Sequence, residues 1–515
     1  MLYDSYTIVI VGDRMKLKNI FVGDPDGLLE ARQDKFANYF YNKNKKYEEL
    51  KENKNKFIVT GRKGTGKTLL AKYYEKQVQN EGIVSEYIDK EKVLFCQLQS
   101  IGNGEIPARE RGTFITYAIL NEIAKLICKN KGNILKKVTI FRRFHVRRMI
   151  RELQNRIDKD SLLNFEKSSY NNSISSTLEG KLKAKATDSE VKSAISENVE
   201  ETYMKSPYYR NVEEMKKEIF ALLNYCPITI IIDDLDEYDE KVKINNNFAK
   251  FLSKFIEITY KLNIEIQEIS NVSKIILLFR SDLFGFLHNQ STNLNKYVVN
   301  SQVILNWLKN SNTSQPEQHI LMDMIFNKMR NSCPDLAQKS NLELFTQLFP
   351  KKIKGKEPLK YLLNFSHGRP RDIVNLLNKI ISKYPEEQCF TNEMFIDVEQ
   401  EYSKDFCNEL RNEMSLYYDS EYITSCFDVL KLIRKNNFKK EDAAAIISNC
   451  KNQLPGITNV EDVLTTLFKY GIIGNMKKIG ENDIKYYFGY REDGSDIINF
   501  NEKFTVHFAV RKALL

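Results

Sequence analysis

The chain has 515 residues, of which 42% are hydrophobic and 28% are charged, and its formal net charge is +10. These values fit a globular protein of about three domains. No segment approaches about 18 uninterrupted apolar residues and the first residues lack a signal-peptide pattern, so we expect a cytoplasmic protein without a membrane span. The eight cysteines form no CxxC pair, which argues against a zinc site and favours free thiols.

Short apolar runs separated by helical stretches fill the first part of the chain. A strand at residues 6–11 and a helix at 28–42 precede a polar stretch at 43–56 that is predicted to be a solvated helix end or loop. Further strands are expected at 57–60, 93–98, 228–232 and 274–279, with a weaker one at 297–305. Such alternation is typical of an α/β fold whose parallel sheet is covered on both faces.

A long insertion is predicted at about residues 99–222. About 160 residues separate the loop that follows the strand at 57–60 from the strand at 228–232, and a compact βαβ core would place these two segments much closer in the sequence. Residues 112–128 have the periodicity of an amphipathic helix. The stretch Lys129–Arg156 holds ten basic residues and one acid, and it interleaves aromatic side chains with its arginines. Residues 168–186 indicate a weak hairpin or mobile loop, and residues 189–222 return to helical patterning.

The C-terminal third is predicted to be mostly helical. After Trp307 the helical pattern continues to about residue 415. Three further helices are then expected at 426–436, 440–449 and 460–470. A hairpin is predicted from strands at 484–491 and 496–500, joined around Asp493-Gly494. Three helices followed by a two-stranded wing are the outline of a winged helix.

These patterns predict four regions. They are an N-terminal strand and helix at 1–56, a core with its insertion at 57–306, a helical lid at 307–415 and a winged helix at 416–515.

Residues Gly61–Thr68 match the phosphate-loop pattern GxxxxGK[ST] completely, after an apolar strand and before a helix at 67–80. Gly61, Gly64 and Gly66 allow the backbone N–H groups, including that of Thr65, to turn onto phosphate oxygens. Lys67 is predicted to reach the β- and γ-phosphates, and Thr68 to offer its hydroxyl to Mg²⁺. The predicted ligand is therefore ATP with Mg²⁺.

The apolar strand Ile228–Ile232 ends in Asp233 and Asp234. Asp233 is predicted to hold Mg²⁺, since this ion prefers hard oxygen ligands. Asp234 is predicted to orient or deprotonate the attacking water. Asp236 and Glu237 follow closely and remain alternatives for the base.

Three arginines are candidate γ-phosphate sensors. Arg280 follows the apolar strand 275–279, and an arginine at the tip of a neighbouring strand can stabilise charge in the transition state. Arg369 and Arg371 flank Pro370 at the start of a predicted helix, from which a lid residue can reach back to the nucleotide. Arg371 is the preferred sensor and Arg369 the second, and a solvated role is equally compatible with their spacing.

Together these segments resemble the AAA+ and STAND branch of P-loop ATPases, in particular bacterial members with an origin-recognition-like core and a winged-helix tail. The matches are Gly61–Thr68, Ile228–Asp234, Arg280 and Gly368-Arg369-Pro370-Arg371. The last resembles both the GxP motif of STAND proteins and the sensor-2 motif of AAA+ proteins. The resemblance implies an ASCE-type core, a helical lid and a nucleotide-driven switch, and the relatives are often encountered among phage-defence and mobile-element genes.

The leading functional hypothesis is an ATPase switch that regulates a protein partner or effector, or assembles with itself. Antiviral defence is one role that this hypothesis includes. The alternative is a DNA-associated AAA+ ATPase of the initiator or loader type, with Lys129–Arg156 neutralising phosphates. The predicted third helix of the wing, 460–470, carries two acids and one lysine, which favours protein contacts there. A non-hydrolysing scaffold is disfavoured by Asp233-Asp234, and GTP specificity by the lack of a convincing NKxD motif.

Overall fold

The computed structural model describes residues 15–89, 111–159, 207–235, 246–288, 293–308, 314–478, 484–491 and 497–515. Among them is a five-stranded sheet of β1 (Ile58–Gly61), β2 (Val84–Ile88), β3 (Ile228–Ile232), β4 (Lys274–Arg280) and β5 (Gln302–Ile304). The order is β2-β3-β4-β1-β5 and every pairing is parallel. The carboxyl ends of β1, β3 and β4 therefore meet at one edge of the sheet, where ligands bind in open α/β folds.

Helices surround this sheet along the first 300 residues. They are α1 (Gly27–Ala31), α2 (Phe36–Tyr39), α3 (Lys46–Glu52), α4 (Lys67–Asn80), α5 (Arg111–Lys129), α6 (Lys131–Lys137), α7 (Ile140–Lys159), α8 (Pro207–Leu223), α9 (Asn246–Gln267), α10 (Ser281–His288) and α11 (Leu294–Val298). None of the described helices has the length and apolar character that crossing a membrane requires.

The strands divide their side chains between two cores, one on each face of the sheet. In β3, Ile230 and Ile232 belong to a core shared with α5, α8 and α9, whereas Ile231 belongs to a core shared with α4. In β4, Leu277 and Leu278 divide in the same way. Every residue of β3 and β4 is therefore buried, which explains why these strands are continuous apolar runs in the sequence.

The C-terminal part of the chain is built from helices around a second sheet. The helices are α12 (Ile320–Ser332), α13 (Asn341–Leu348), α14 (Pro358–Asn364), α15 (Pro370–Lys383), α16 (Asn392–Met414), α17 (Ser420–Ile433), α18 (Lys440–Asn449), α19 (Val460–Lys469) and α20 (Phe508–Leu514). They share one core with residues near the start of the described chain, including Leu17 and Val22. Because this core runs through both 307–415 and 416–515, the boundary between these two regions stays a prediction.

The second sheet corrects the predicted hairpin. Its strands are β6 (Asn437–Phe438), β7 (Ile473–Lys478), β8 (Ile484–Tyr487) and β9 (Lys503–Val506), in the antiparallel order β6-β9-β7-β8. The partner of β8 is β7, and residues 497–500 form no strand. The prediction was wrong because it did not include the strand that begins at Ile473. The Ile473 side chain is fully buried, whereas Ile497 is 81% exposed.

Other predicted helices and strands differ from the structure in their residue bounds. The helix expected at 28–42 is the two short helices α1 and α2, and the polar stretch at 43–56 contains α3, which Leu50 anchors in a core. Strand β2 was missed. The weak strand expected at 297–305 is the end of α11 followed by β5.

Several predicted features lie outside the described residues. They are the strands at 6–11 and 93–98, the loop at 168–186, the helical stretch up to residue 206, Asp236, Glu237 and the turn at Asp493-Gly494.

A buried cluster of rings joins the segment before α15 to the second sheet. His367 stacks on Tyr490 with ring centroids 4.3 Å apart, and its edge meets His507. His507 Nδ1 accepts a hydrogen bond from the Ala509 backbone at the start of α20. Burial lowers the pKa of His507 to about 3 and that of His319 to about 4, and it holds the pKa of His367 well below its ordinary value.

We expect the protein to lose stability as the pH falls from 7.5 to 5.5. The unfolded state binds protons near pH 6.5 while these three histidines stay neutral in the folded state, so each lowers the free energy of unfolding by about 1.4 kcal/mol over this range. Urea denaturation at several pH values measures the slope. In His507→Asn, which keeps a helix-capping side chain, the slope should be shallower, and an unchanged slope would contradict the assignment.

Candidate nucleotide-binding site

The loop between β1 and α4 has the backbone of a phosphate cradle. Gly64 and Gly66 have φ angles of +81° and +92°. A Cβ at Gly66 would meet nothing within 4 Å, so the left-handed backbone, rather than lack of space, requires glycine there. A Cβ at Gly64 would lie 3.0 Å from Cβ of Arg371. The loop is therefore shaped both by its own backbone and by the close approach of α15.

Lys67 begins α4 and extends its ammonium across the loop. Its Nζ donates to the carbonyl of Gly61 at 3.2 Å and to that of Arg62 at 3.3 Å. The positive end of a 14-residue helix and this ammonium consequently lie on the same concave surface. Such a surface favours an anion with several oxygen acceptors.

Asp233, at the end of β3, joins helix α4 to the neighbouring strand β2. Its Oδ2 accepts hydrogen bonds from Thr68 Oγ1 at 2.8 Å and from the Tyr87 hydroxyl at 2.6 Å. Tyr87 lies on β2, beside β3. Burial raises the pKa of Tyr87, and the charge of Asp233 and its hydrogen bond raise it further. The phenol therefore stays protonated and fixes the orientation of the carboxylate.

Asp234 occupies a backbone conformation that non-glycine residues seldom adopt, with φ of +57°. Its N–H donates to Asp233 Oδ1 at 2.8 Å, and the residue lines the same cleft as the phosphate loop. Backbone strain of this kind is often found at functional sites. The turn directs the chain away from the sheet directly after the two carboxylates.

Arg280 lies at the carboxyl end of β4 and is buried. Its guanidinium binds both oxygens of Asp282, at 3.1 Å and 2.7 Å, and it lines the cleft. Burial alone would raise the pKa of Asp282, but the charge and hydrogen bonds of Arg280 hold it below its ordinary value. The two-pronged pairing orients the arginine at the edge where the strands end.

Arg369 is a buried connector between the phosphate loop and the C-terminal core. Its Nη1 donates to the Lys63 carbonyl at 3.1 Å and to Glu413 at 2.7 Å, and its Nε donates to Asp372. Burial would raise the pKa of Glu413, but the charge of Arg369 and other arginines lowers it. Arg369 is 1% exposed and does not line the cleft. The structure therefore favours a positioning role over the second-ranked sensor role.

Arg371 lies on the cleft itself. Its backbone N–H donates to the Gly64 carbonyl at 3.3 Å, and its side chain donates to the carbonyl of Pro25 and to Glu409. Thus α15 contacts the phosphate loop through Arg369 and Arg371, which lie in different surroundings. One is enclosed by acids behind the loop, and the other borders the ligand space.

The N-terminal segment, α12 and α15 also contribute to the lining of the cleft. Its apolar part includes Phe40, Tyr41, Met324 and Val374. The only tryptophan, Trp307, donates its Nε1 hydrogen to the Thr65 carbonyl at 2.9 Å and lines the same space. The cleft thus combines the polar groups of the phosphate loop with apolar and aromatic side chains, as expected for a nucleotide-sized ligand.

Mg²⁺ fits the donor set at the polar end. Thr68 and Asp233 supply a hydroxyl and a carboxylate side by side, and Mg²⁺ is commonly held by one or two such ligands together with phosphates and waters. No group of three or more His, Cys, Asp or Glu that would hold a metal alone occurs within the described residues. The site accordingly suits a metal that arrives with a phosphate ligand.

Comparisons with known proteins give three findings. Residues 319–411 match a family model described as the FunZ-associated C-terminal helical domain. The chain is 22% identical over 520 residues to the transposon gamma-delta 80.3 kDa protein of Escherichia coli (strain K12), covering 96% of this chain and 67% of that protein. A Walker-type ATPase of Pyrococcus abyssi has a solved structure similar to 89% of this chain and 96% of its own, with 13% identity and a TM-score of 0.36.

The segment that matches this helical-domain model borders the candidate site. It comprises α12 to α15 and most of α16, and it supplies Arg369 and Arg371 to the site. The TM-score of 0.36 is too low to define the fold, which rests on the parallel sheet and the phosphate loop themselves.

The sequence predictions for this site omitted two side chains. Tyr87 lies on the strand Val84–Ile88, which the sequence analysis did not predict and which pairs with β3. The β-branched and aromatic residues Val84, Tyr87 and Ile88 were the available signal. Trp307 lies where the helical pattern of the C-terminal third begins, and its sequence context gives no sign of a role in the site. Its role depends on a hydrogen bond across 242 positions, which no local pattern reveals.

We expect Arg369→Met to lower the free energy of unfolding by about 3–5 kcal/mol, because it leaves Asp372 and Glu413 buried without their cation. Arg371→Met is the matched control, since its ion pair with Glu409 is partly exposed, and it should cost about 1 kcal/mol or less. Urea denaturation measures both. Equal losses in the two variants would contradict the distinction between a buried connector and a cleft residue.

Proposed function

We propose that this protein is a Mg²⁺-dependent ATPase that works as a nucleotide-driven switch. The observation that carries the proposal is the hydrogen bond between Thr68 and Asp233. It brings together, across 165 positions of the chain, the two oxygen ligands that P-loop ATPases use for magnesium. The phosphate loop, Lys67 and the helix end then surround the place where a triphosphate would lie.

In this proposal the cradle residues bind and orient the triphosphate. The backbone N–H groups from Gly61 to Thr68 contact phosphate oxygens, and Lys67 exchanges its two carbonyl acceptors for the β- and γ-phosphates. Thr68 and Asp233 hold Mg²⁺, which when bound neutralises charge developing on the phosphates. Tyr87 keeps the Asp233 oxygen in place.

Asp234 is the proposed base. It follows the metal ligand directly and lines the cleft, so its carboxylate is placed to orient a water and accept its proton. Asp236 and Glu237 remain alternatives, and both lie outside the described residues. The strained backbone at Asp234 supports a functional role for this residue.

Arg280 and Arg371 are the proposed sensors. Each lines the cleft from a different element, Arg280 from the end of β4 and Arg371 from α15. Loss of the γ-phosphate would remove an anionic partner from Arg371 and so weaken the hold of α15 on the loop. Arg369 would carry that movement to Glu413 and the C-terminal core.

ATP is the proposed nucleotide. The lining of the cleft includes Phe40, Tyr41 and Met324, which can pack against a base, and the sequence contains no convincing guanine-recognition motif. The switch class we favour is AAA+ or STAND, with 307–415 as a lid and 416–515 as a winged helix. Regulation of a partner or effector in phage defence is the corresponding biological role.

A DNA-associated ATPase is the second candidate. It is favoured by the cationic face of α7, and by the word transposon in the name of the Escherichia coli relative. ATP hydrolysis measured with and without DNA separates the two candidates, because a loader is stimulated by DNA and a self-contained switch is not.

We expect Lys67→Ala and Asp234→Asn to reduce ATP hydrolysis by about 100-fold or more, for different reasons. Lys67→Ala should also weaken nucleotide binding, whereas Asp234→Asn should still bind ATP, because only the proton acceptor is lost. Phosphate release and binding of a fluorescent ATP analogue measure the two effects. Lys76→Ala, on the exposed side of α4, is the control and should match the unchanged protein. Full activity in Asp234→Asn would move the base to another residue.

Tyr87→Phe should raise the Mg²⁺ concentration needed for half-maximal ATP hydrolysis by about tenfold, because outer-shell hydrogen bonds of this kind hold metal ligands in position. The rate at saturating Mg²⁺ should change less. Tyr361→Phe is the matched control, since that buried hydroxyl has no hydrogen-bond partner in the described part of the chain. The proposed role of Tyr87 fails if both variants show the same Mg²⁺ dependence.

A further inference from the structure

Helix α7 packs against the protein along one side only. Val146, Ile150 and Leu153 are fully or almost fully buried and belong to the core shared with α5 and α8. At about 100° per residue these side chains lie on one face of the helix. The opposite face of α7 is therefore directed away from the core.

That outward face begins with three large apolar side chains. Phe141 is 97% exposed, Phe144 is 81% exposed and Ile140 is 75% exposed. Neighbouring exposed aromatic side chains of this size are uncommon on a protein surface and mark interaction sites. Both phenylalanines lie in the first turns of the helix, with little protein against their rings.

The same face continues as a row of arginines. Arg147, Arg148 and Arg151 follow Phe144 at helical spacing, and all three are exposed. Glu152 pairs with Arg148 at 2.8 Å. Among the described residues, Arg147 and Arg151 have no acidic partner. The face thus presents aromatic rings and then, along the same helix, three guanidinium groups of which one is paired with an acid.

We propose that this face of α7 binds single-stranded nucleic acid. Exposed aromatic rings beside a cationic track are the combination by which proteins bind single strands, with bases stacked on the rings and phosphates on the cations. The proposal goes beyond ATP hydrolysis and does not require it, because α7 contributes no residue to the nucleotide cleft.

Single strands fit the observations better than the other polyanions. A duplex keeps its bases stacked inside the helix, so Phe141 and Phe144 would have no faces to stack on. A helix lying on a membrane needs an apolar stripe along its length with cations at the sides. Here the apolar side chains end at Phe144, and arginines occupy the same face beyond it.

The test is fluorescence anisotropy of a labelled single strand of about 20 nucleotides with the full chain, in the absence of ATP and Mg²⁺. We expect binding that weakens with salt and is about tenfold tighter than binding to a duplex of the same length. The Lys67→Ala protein should bind equally well. A failure of the ATPase proposal would therefore leave this result unchanged.

Two double variants separate charge from stacking. Arg147→Gln with Arg151→Gln should weaken binding about tenfold and reduce the salt slope by about 1.4, at about 0.7 per lost phosphate contact. Phe141→Leu with Phe144→Leu should weaken binding about fivefold or more without changing the salt slope, since leucine is apolar but cannot stack. Lys351→Gln with Lys352→Gln, two exposed lysines elsewhere, is the charge-matched control and should bind within about twofold of the unchanged protein.

Several outcomes would overturn the proposal. These are the absence of binding, equal affinity for the duplex, or a leucine variant that binds as tightly as the unchanged protein. Stronger association with vesicles containing phosphatidylserine than with the oligonucleotide would assign the face to a membrane surface instead. Because all four substituted side chains are exposed, the variants should keep the circular dichroism spectrum and thermal midpoint of the parent.

Discussion

The parallel pairing of β1, β4 and β3 is the constraint on which the site depends. Each of these strands ends at the same edge of the sheet, so the phosphate loop, Arg280 and Asp233 meet although the chain separates them widely. The hydrogen bond from Thr68 to Asp233 exists only because this register is held by side chains buried on both faces. If that burial were lost, the two proposed magnesium ligands would move apart even though neither residue had been changed.

The second organising feature is the ionic cluster around Arg369. Removing three buried charges from water is costly, and the cost is offset only while Arg369, Asp372 and Glu413 remain together. The cluster therefore fixes α15 to α16 and, through the Lys63 carbonyl, both to the phosphate loop. The nearby stacking of His367 on Tyr490 extends the same contact to the second sheet. A conformational change at the phosphate loop can consequently be transmitted through these contacts to the C-terminal core.

The nucleotide cleft and the outward face of α7 arrange their charges in different ways. In the cleft, charges are paired and oriented before any ligand arrives, as in the bidentate contact between Arg280 and Asp282. On α7, Arg147 and Arg151 stay exposed beside bare aromatic rings. Preorganised pairs suit a small ligand bound in one geometry, whereas a loose row of cations and rings suits a flexible polymer that can adopt many.

Local sequence patterns are sufficient to predict the features that depend on neighbouring residues. The phosphate loop, the strand before Asp233 and most C-terminal helices follow from local spacing and apolar periodicity, which act over a few turns of chain. Tertiary structure decided which strand pairs with β8, that Tyr87 and Trp307 enter the site, that Arg369 is enclosed while Arg371 borders the cleft, and that Phe141 is exposed. Those outcomes depend on burial and on hydrogen bonds between segments that are distant in the sequence. Local patterns do not distinguish between the alternatives, and the packing of the whole chain selects one of them.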